Sequence, residues 1–219
     1  MVEQSGTALL LEQICNHHED NIMPLGAFKA ALMGTAGVST GDVVLLSTAT
    51  ASGSASLAFT SGLTSTYSSY IFKFYNIHPA TDGADGFTFQ VSTDGGSNYN
   101  ITATTSIFRA YHNEADGETA ITAETDHDQG QATGYQALVT NVGNDNDQNC
   151  AGQLHLFAPS STTYVKHFYS RPNTVQSNDY QSNAFVAGYF DTTSAVNAIS
   201  FKMGSGNIDA GKIKMWGVK

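Results

Sequence analysis

Apolar and polar residues alternate with a period of two along most of the chain, and the alternation is clearest between Thr66 and Asn100. One run there consists of large side chains throughout: Tyr70, Ile71, Phe72, Lys73, Phe74 and Tyr75. A strand would place them in two rows, whereas a helix would scatter them around its circumference. Turn residues follow at 78–83 and 94–96, on either side of an alternating run at 87–91. The segment predicts two strands of a β-sandwich with one face in a core.

Short alternating runs bounded by turn residues continue to the C terminus. Together with the two above they predict eleven or twelve strands, at 43–46, 56–59, 101–112, 119–125, 134–142, 153–157, 164–169, 184–190, 198–203 and 212–218. No strand alternates with a long amphipathic helix, which argues against a doubly wound parallel sheet. An antiparallel sandwich and a barrel remain. The strand number and the long acidic loops favour a mainly-β fold, an antiparallel jelly-roll-like β-sandwich over 42–219.

The first 41 residues follow a different pattern. Two helix-prone pieces, at 8–14 and 27–33, are followed by a connector of small residues at 34–41. The pattern predicts a short, partly helical N-terminal appendage that must dock on its own sandwich or, as we favour, on another chain. The candidate docking residues are apolar: Leu10, Leu11, Ile14, Leu25, Phe28 and Leu32.

The strand that begins near Tyr70 is apolar on both sides. A period of two places Tyr70, Phe72 and Phe74 on one face and Ile71, Tyr75 and Ile77 on the other. This sidedness predicts a central strand whose second face is covered by the N-terminal appendage or by a neighbouring subunit.

Charge narrows the range of partners. The net charge is −10, and the stretch from Asp82 to Asp147 holds eleven acidic residues and one basic residue, Arg109. A negative field over most of the chain argues against a nucleic-acid partner. Charged residues make up only 13% of a chain rich in aromatic and small polar residues, a composition typical of extracellular or virion β proteins.

The cysteines and the N terminus bear on the compartment. Cys15 and Cys150 form neither a disulfide framework nor a Cys-x-x-Cys metal motif, so we expect free thiols. The chain starts without a basic segment, and its run at 8–11 is too short for a signal core or a membrane span. We therefore expect no classical export signal and no membrane partner.

Catalytic and metal-binding motifs are weak. The seven histidines lack metal-ligand spacing, and the loop 144–149 has calcium-type oxygens but departs from the EF-hand pattern at Cys150 and Leu156. There is no nucleophile elbow and no phosphate-binding loop. We therefore expect no enzyme activity and no cofactor, with a loop calcium site left open.

Glycan binding is the chemistry that the side chains favour most, because sugars stack on aromatic rings flanked by amide and carboxylate groups. Four tyrosines have such neighbours: Tyr99, Tyr111, Tyr135 and Tyr180. The alternative is that these tyrosines form the rim of a core or part of a subunit interface.

Four segments carry a resemblance to a known family: FTSGLTSTYSSYIFKFYNIHPATD at 59–82, FQVSTDGGSNYN at 89–100, GQLHLFAPSSTTYVKHF at 152–168, and VAGYFDTTSAVNAISFKMGSGNIDAGKIKMWGVK at 186–219. Through these four segments, residues 54–219 resemble a family of structural proteins from the virions of tailed phages that infect marine bacteria. The phrases are scaffold segments rather than active-site motifs.

The resemblance implies a non-enzymatic virion protein, assembled in the host bacterial cytoplasm, with its β-sandwich exposed as a decoration or appendage. It also implies a homo-oligomer, with a trimer favoured, anchored to major capsid or tail proteins by residues 1–41. The alternative function is a tail-fibre receptor-binding or carbohydrate-binding module that contacts a host surface glycan. An esterase or glycosidase acting on host polysaccharide is the least favoured.

Overall fold

The computed structural model describes residues 41–219. The strands in this range are β1 (Val43–Thr50), β2 (Leu57–Phe59), β3 (Ser69–Pro79), β4 (Phe87–Ser92), β5 (Ala103–Asn113), β6 (Thr119–Ala123), β7 (Gly130–Ala132), β8 (Gln136–Val139), β9 (Cys150–Phe157), β10 (Lys166–Ser170), β11 (Asn173–Val175), β12 (Tyr180–Phe190), β13 (Ala198–Met203) and β14 (Ile208–Val218). A single 3-10 turn, Thr125–His127, precedes β7.

The strands form two antiparallel sheets. The large sheet has the order β1-β14-β3-β9-β10-β12-β5-β6, with β11 beside β12 and β9 and with β7 beside β5; the small sheet has the order β2-β13-β4-β8. The chain crosses between the sheets at β1–β2–β3–β4–β5, at β7–β8–β9 and at β12–β13–β14, which is the type of connection found in jelly rolls. The predicted mainly-β antiparallel sandwich is confirmed, and the barrel alternative is not the one adopted.

All twelve predicted strands correspond to strands of the structure. The two that the pattern missed, β7 and β11, have three residues each. A run of three residues is too short to show alternation, and its pairing depends on the long strands beside it.

A cluster of phenylalanines joins the two sheets, and Phe201 on β13 lies at its centre. The Phe201 ring is fully buried, with ring centroids 5.5 Å from Phe72 and 5.4 Å from Phe74 on β3 of the large sheet. On its own sheet it lies 5.8 Å from Phe87 and 6.4 Å from Phe59. Most of these ring pairs are edge-on or tilted, which suits the aromatic quadrupole. The cluster fills the space between the sheets.

Strand β4 is buried on both faces. Phe87, Phe89 and Val91 point into the core, while Gln90 lies on the opposite face and is also fully buried. The Gln90 Nε2 donates hydrogen bonds to the carbonyl oxygens of Ile101, Thr133 and Gly134 at 2.8–3.2 Å. The chain segments around 101 and 133–134 therefore cover the outer face of the small sheet at β4, and the amide satisfies their carbonyls.

A bulge in β3 changes the predicted sidedness of this strand. Asn76 has φ +49°, and the pairing with β9 shifts between Phe74 and Ile77. The extra residue returns Ile77 to the core face, where it is fully buried. The expectation that Ile77 lies with Tyr75 on the second face is therefore wrong.

The second face of β3 carries Ile71, which is half-buried, and Tyr75, which is 38% exposed. No strand of residues 41–219 lies over this face. Its covering by the N-terminal appendage or by a neighbouring subunit stays a prediction.

The turn after β4 is held by one carboxylate. Asp94 accepts hydrogen bonds from the Ser92 hydroxyl at 2.6 Å, from the Asn98 side-chain amide at 2.7 Å and from the Asn98 backbone N–H at 2.9 Å. Gly96 has φ +90°, and a Cβ there would lie 2.7 Å from the Tyr99 hydroxyl, so only glycine fits. The bond from Ser92, followed by those from Asn98, lowers the pKa of Asp94 from 3.8 to about 2.

Replacing Phe201 by alanine is expected to lower the free energy of unfolding by about 3–5 kcal/mol, because it removes the ring that both sheets contact. Urea denaturation measures the change. Phe157→Ala is the matched control, since it removes the same side chain from a position that is 39% exposed, and it should cost less than about 1 kcal/mol. Similar losses in the two variants would contradict the central role of Phe201.

Replacing Asp94 by asparagine is expected to destabilise the fold at neutral pH. A carboxylate whose pKa is lowered in the folded state stabilises it above its ordinary pKa, and this stabilisation is lost as the pH falls from about 3.8 to about 2. The stability difference between the parent chain and Asp94→Asn should therefore shrink across that window in denaturation series at several pH values. A difference that stays constant from pH 7 to pH 2 would contradict this assignment.

Candidate functional site

The outer face of the large sheet carries a row of large side chains that crosses four strands. Register places Trp216 on β14 beside Ile71 on β3, Ile71 beside His155 on β9, and His155 beside Tyr169 on β10. In each strand the flanking residues point into the core, so the period of two turns these side chains outward. We call Trp216, Ile71, His155 and Tyr169 the aromatic row.

Stacking orders one end of the aromatic row. The rings of His155 and Tyr169 are nearly parallel, 12° apart, with centroids at 4.5 Å, and the exposed ring of Phe157 lies 5.8 Å from Tyr169. Cross-strand aromatic pairs of this kind stabilise a sheet face by a fraction of a kcal/mol each, roughly 0.2–1. The rings at this end of the row therefore support one another across the sheet.

Two polar atoms in the aromatic row lack partners. The Nε2 of His155 and the Nε1 of Trp216 are buried and make no hydrogen bond to any described residue. Burial, followed by the charge of Lys73, lowers the pKa of His155, so the ring is neutral at neutral pH. Both atoms are shielded from solvent, so a further molecule reaches them only if the surrounding side chains move.

At one end of the aromatic row the sheet finishes in an open edge. In the described part of the chain no strand pairs with the free side of β1. The eight residues VVLLSTAT contain no charge and no proline, and Val43 and Leu45 are 49% and 43% exposed. Register places Leu45 directly beside Trp216. We call β1 with this apolar surface the β1 edge.

At the other end the row passes into a hollow. Tyr169 pairs with Ala187 on β12, and Ala187 pairs with Ser106 on β5. The two small side chains leave a depression of about 400 Å³ that is bounded by Tyr169 and by the Phe108–Phe185 pair. We call it the aromatic slot.

The Phe108–Phe185 pair forms a flat wall of the aromatic slot. The two rings are parallel within 4°, with centroids at 4.9 Å. The guanidinium carbon of Arg171 lies 4.9 Å from the Phe185 ring centroid, a cation–π arrangement. The slot therefore combines aromatic surfaces with one positive charge.

The four tyrosines proposed as glycan contacts fall into two separate pairs. Tyr99 and Tyr135 have ring centroids 6.3 Å apart, and Tyr111 and Tyr180 lie 5.5 Å apart. Each pair comes together because of strand register or loop packing, and the structure does not join the pairs in a single site.

Neither tyrosine pair presents a free aromatic platform. The Lys202 ammonium lies 4.3 Å above the Tyr135 ring, and the Arg109 guanidinium carbon lies 5.0 Å from the Tyr111 ring centroid. The Tyr180 hydroxyl donates to Glu118, a bond that raises the pKa of Tyr180. Each pair is thus engaged with charged neighbours from its own chain.

A polar groove lies on the outer face of the small sheet, next to Tyr135. It has a volume of about 530 Å³ and is lined mainly by charged and polar residues, among them Asp85, Asp126, His127 and Lys202. In residues 41–219 no three His, Cys, Asp or Glu side chains converge as metal ligands. The groove offers mixed charges rather than a cation site.

The surroundings of Lys166 and Cys150 indicate structural roles rather than catalytic ones. The Lys166 ammonium donates to the carbonyls of Tyr164 and Thr192, at 2.6 and 3.1 Å, and burial lowers its pKa. Cys150 is a buried free thiol, and burial raises its pKa, which removes the thiolate needed for reactivity. The expectation of a free thiol is confirmed at Cys150.

Sequence reasoning missed the aromatic row and the aromatic slot. Their residues come from strands far apart in sequence, and only the sheet order brings them together. A signal was nevertheless present, because Ile71, Tyr169 and Trp216 are large side chains at alternating positions where a solvated strand would carry small or charged ones. The six predicted docking residues between Leu10 and Leu32, and the whole segment 1–41 apart from Gly41, lie outside the described residues.

Comparison with known proteins finds no similarity: no family model, no curated protein and no solved structure matches the chain. Among the described residues, no helix has the length and apolar character needed to cross a membrane.

Proposed function

We propose that this chain is a non-enzymatic structural protein of a phage virion, displayed as a decoration or appendage protein. In this proposal residues 1–41 anchor it to major capsid or tail proteins. Its sandwich associates with copies of itself, with a trimer favoured. Assembly takes place in the host bacterial cytoplasm, an environment that suits the free thiol of Cys150.

The observation that carries this proposal is the β1 edge. An edge strand presents unpaired backbone N–H and C=O groups that pair readily with another chain. Natural edges are usually protected by lysine, proline or a bulge that twists them away. The sequence VVLLSTAT has no charge or proline, and its bulge between Leu45 and Ser47 leaves Leu45 exposed.

The surface next to the β1 edge also supports contact with another copy of the chain. Trp216 lies beside Leu45, and the next residue across the sheet is Ile71. Together they give the edge an apolar flank, beside which the Lys73 ammonium lies 5.9 Å from the Trp216 ring centroid. An interface that combines apolar side chains with aromatic anchors is what stable homo-oligomers use.

A second candidate function is a tail-fibre module that binds a host surface glycan. The aromatic slot favours it, because the slot has an exposed aromatic wall and a charged side chain within one hollow of ligand size.

The assembly proposal predicts that Leu45→Lys converts an oligomer into a monomer. A charge in the middle of the edge would be desolvated in any strand pairing and would oppose it. Light scattering coupled to size exclusion should give a multiple of the chain mass for the parent protein and the mass of one chain for the variant. Because Trp216 is the only tryptophan, its quenching by acrylamide should rise in the variant.

The matched control is Ile121→Lys. Ile121 lies on β6 at the opposite end of the large sheet and is 78% exposed, so the same charge enters an edge strand outside the proposed contact. This variant should keep the parent mass. A monomeric parent protein, or a Leu45→Lys variant with an unchanged oligomeric mass, would contradict assembly through the β1 edge.

A further inference from the structure

One ring face of Tyr169 is open, and this opening defines the aromatic slot as a site. The other face of Tyr169 stacks on His155 at 4.5 Å, so the open face is turned away from β9 and toward β12. The side chains across from it are those of Ala187 and Ser106. Two strand spacings of about 4.8 Å separate Tyr169 from Ser106, which is enough for one ring to stack against the tyrosine.

The size of the slot limits its occupant. Its volume of about 400 Å³ lies in the range of small-ligand sites and suits one or two sugar rings. Tyr169 is 42% exposed and Phe108 is 46% exposed, so aromatic surface is available to a ligand without rearrangement. The floor is formed by a methyl group and a hydroxyl group, which allow close approach.

Arg171 supplies the charge that selects the occupant. Its Nε donates to Asn183 at 3.3 Å, and no carboxylate among residues 41–219 forms an ion pair with it. The other arginine, Arg109, is held by Glu124 at 2.7 Å. An exposed guanidinium without an acidic partner, in a chain of net charge −10, leaves its two terminal nitrogens free for a bidentate contact with a carboxylate.

We propose that the aromatic slot binds a carboxylated pyranose of the uronic-acid class, as found in acidic polysaccharides. The apolar C–H face of the sugar lies against the open face of Tyr169, above Ala187 and Ser106. Its carboxylate binds the guanidinium of Arg171, and the Ser106 hydroxyl bonds a ring hydroxyl. Charge complementarity favours this occupant over a neutral sugar, which would leave Arg171 unused.

The site deepens the second candidate function and rests on it, while the self-assembly at the β1 edge does not depend on it. The residues of the slot differ from the four tyrosines identified in the sequence. The two ends of the aromatic row thus take different roles, with assembly at Trp216 and ligand binding at Tyr169.

The test is calorimetric titration of the full-length protein with the tetrasaccharide of galacturonic acid. The parent protein should bind it, and the fully methyl-esterified tetrasaccharide should bind at least tenfold more weakly because it has lost the carboxylates. Arg171→Gln and Tyr169→Ala should each weaken binding of the acidic form at least tenfold. 3′-Sialyllactose, titrated in parallel, shows whether a sialic-acid type of carboxylate binds better than a uronate.

Ala187→Phe is the decisive variant, because it fills the slot from an exposed position and leaves the core intact. It should abolish binding while the oligomeric mass stays that of the parent. The controls are Tyr164→Ala, an aromatic side chain that is 73% exposed and outside the slot, and Lys212→Gln, an exposed charge on β14. Both should bind like the parent protein.

Three results would overturn the proposal. The first is no binding of the acidic tetrasaccharide at millimolar concentration, whether or not 3′-sialyllactose binds. The second is equal binding of the acidic and esterified tetrasaccharides. The third is a loss of oligomeric mass in Ala187→Phe without any saccharide binding by the parent, which would make the slot an interface between copies. Failure of the assembly proposal would instead be seen as an unchanged oligomeric mass of the Leu45→Lys variant.

Discussion

Contact between Phe201 of the small sheet and the phenylalanines of β3 holds the sandwich together. Phe72 and Phe74 reach it from the large sheet, while Phe87 and Phe59 surround it from its own sheet. Because of this cluster, one face of β3 is buried in the core. Because side chains alternate along the strand, the residues between Phe72 and its core-facing neighbours point to the outer face of the large sheet. The aromatic row is therefore a consequence of how the core is built.

On the outer face of the large sheet the chemistry near β1 differs from that near β12. Toward β1 the surface is apolar around Leu45 and Trp216, with the Lys73 ammonium 5.9 Å from the Trp216 ring centroid. Toward β12 it becomes a hollow with aromatic walls and the charge of Arg171, which forms no ion pair with any residue of 41–219. A protein that must both assemble and contact a ligand needs two such regions that do not interfere. Here four strands separate β1 from β12 in the sheet order.

Much of the fold could be predicted from the sequence, because period-two alternation is a local signal and twelve strands carry it. The bulge at Asn76 could not be predicted from the sequence, because a single residue with positive φ shifts Ile77 to the core without altering the composition of the strand. The candidate site was harder to predict from the sequence than the fold. Trp216, Ile71, His155 and Tyr169 become neighbours only through sheet order, which depends on the whole core, whereas the tyrosines chosen from local context proved to be two pairs engaged with charged side chains.

We propose that the sandwich is displayed on a virion and assembles through β1. In this proposal a phage encodes the chain, and the most direct test is a cryo-electron microscopy map of whole particles of that phage. We expect density for the sandwich on the outside of the particle, with the β1 strand of each copy against a neighbouring chain. Particles that lack the protein, or a map in which β1 faces solvent in every copy, would contradict the claim.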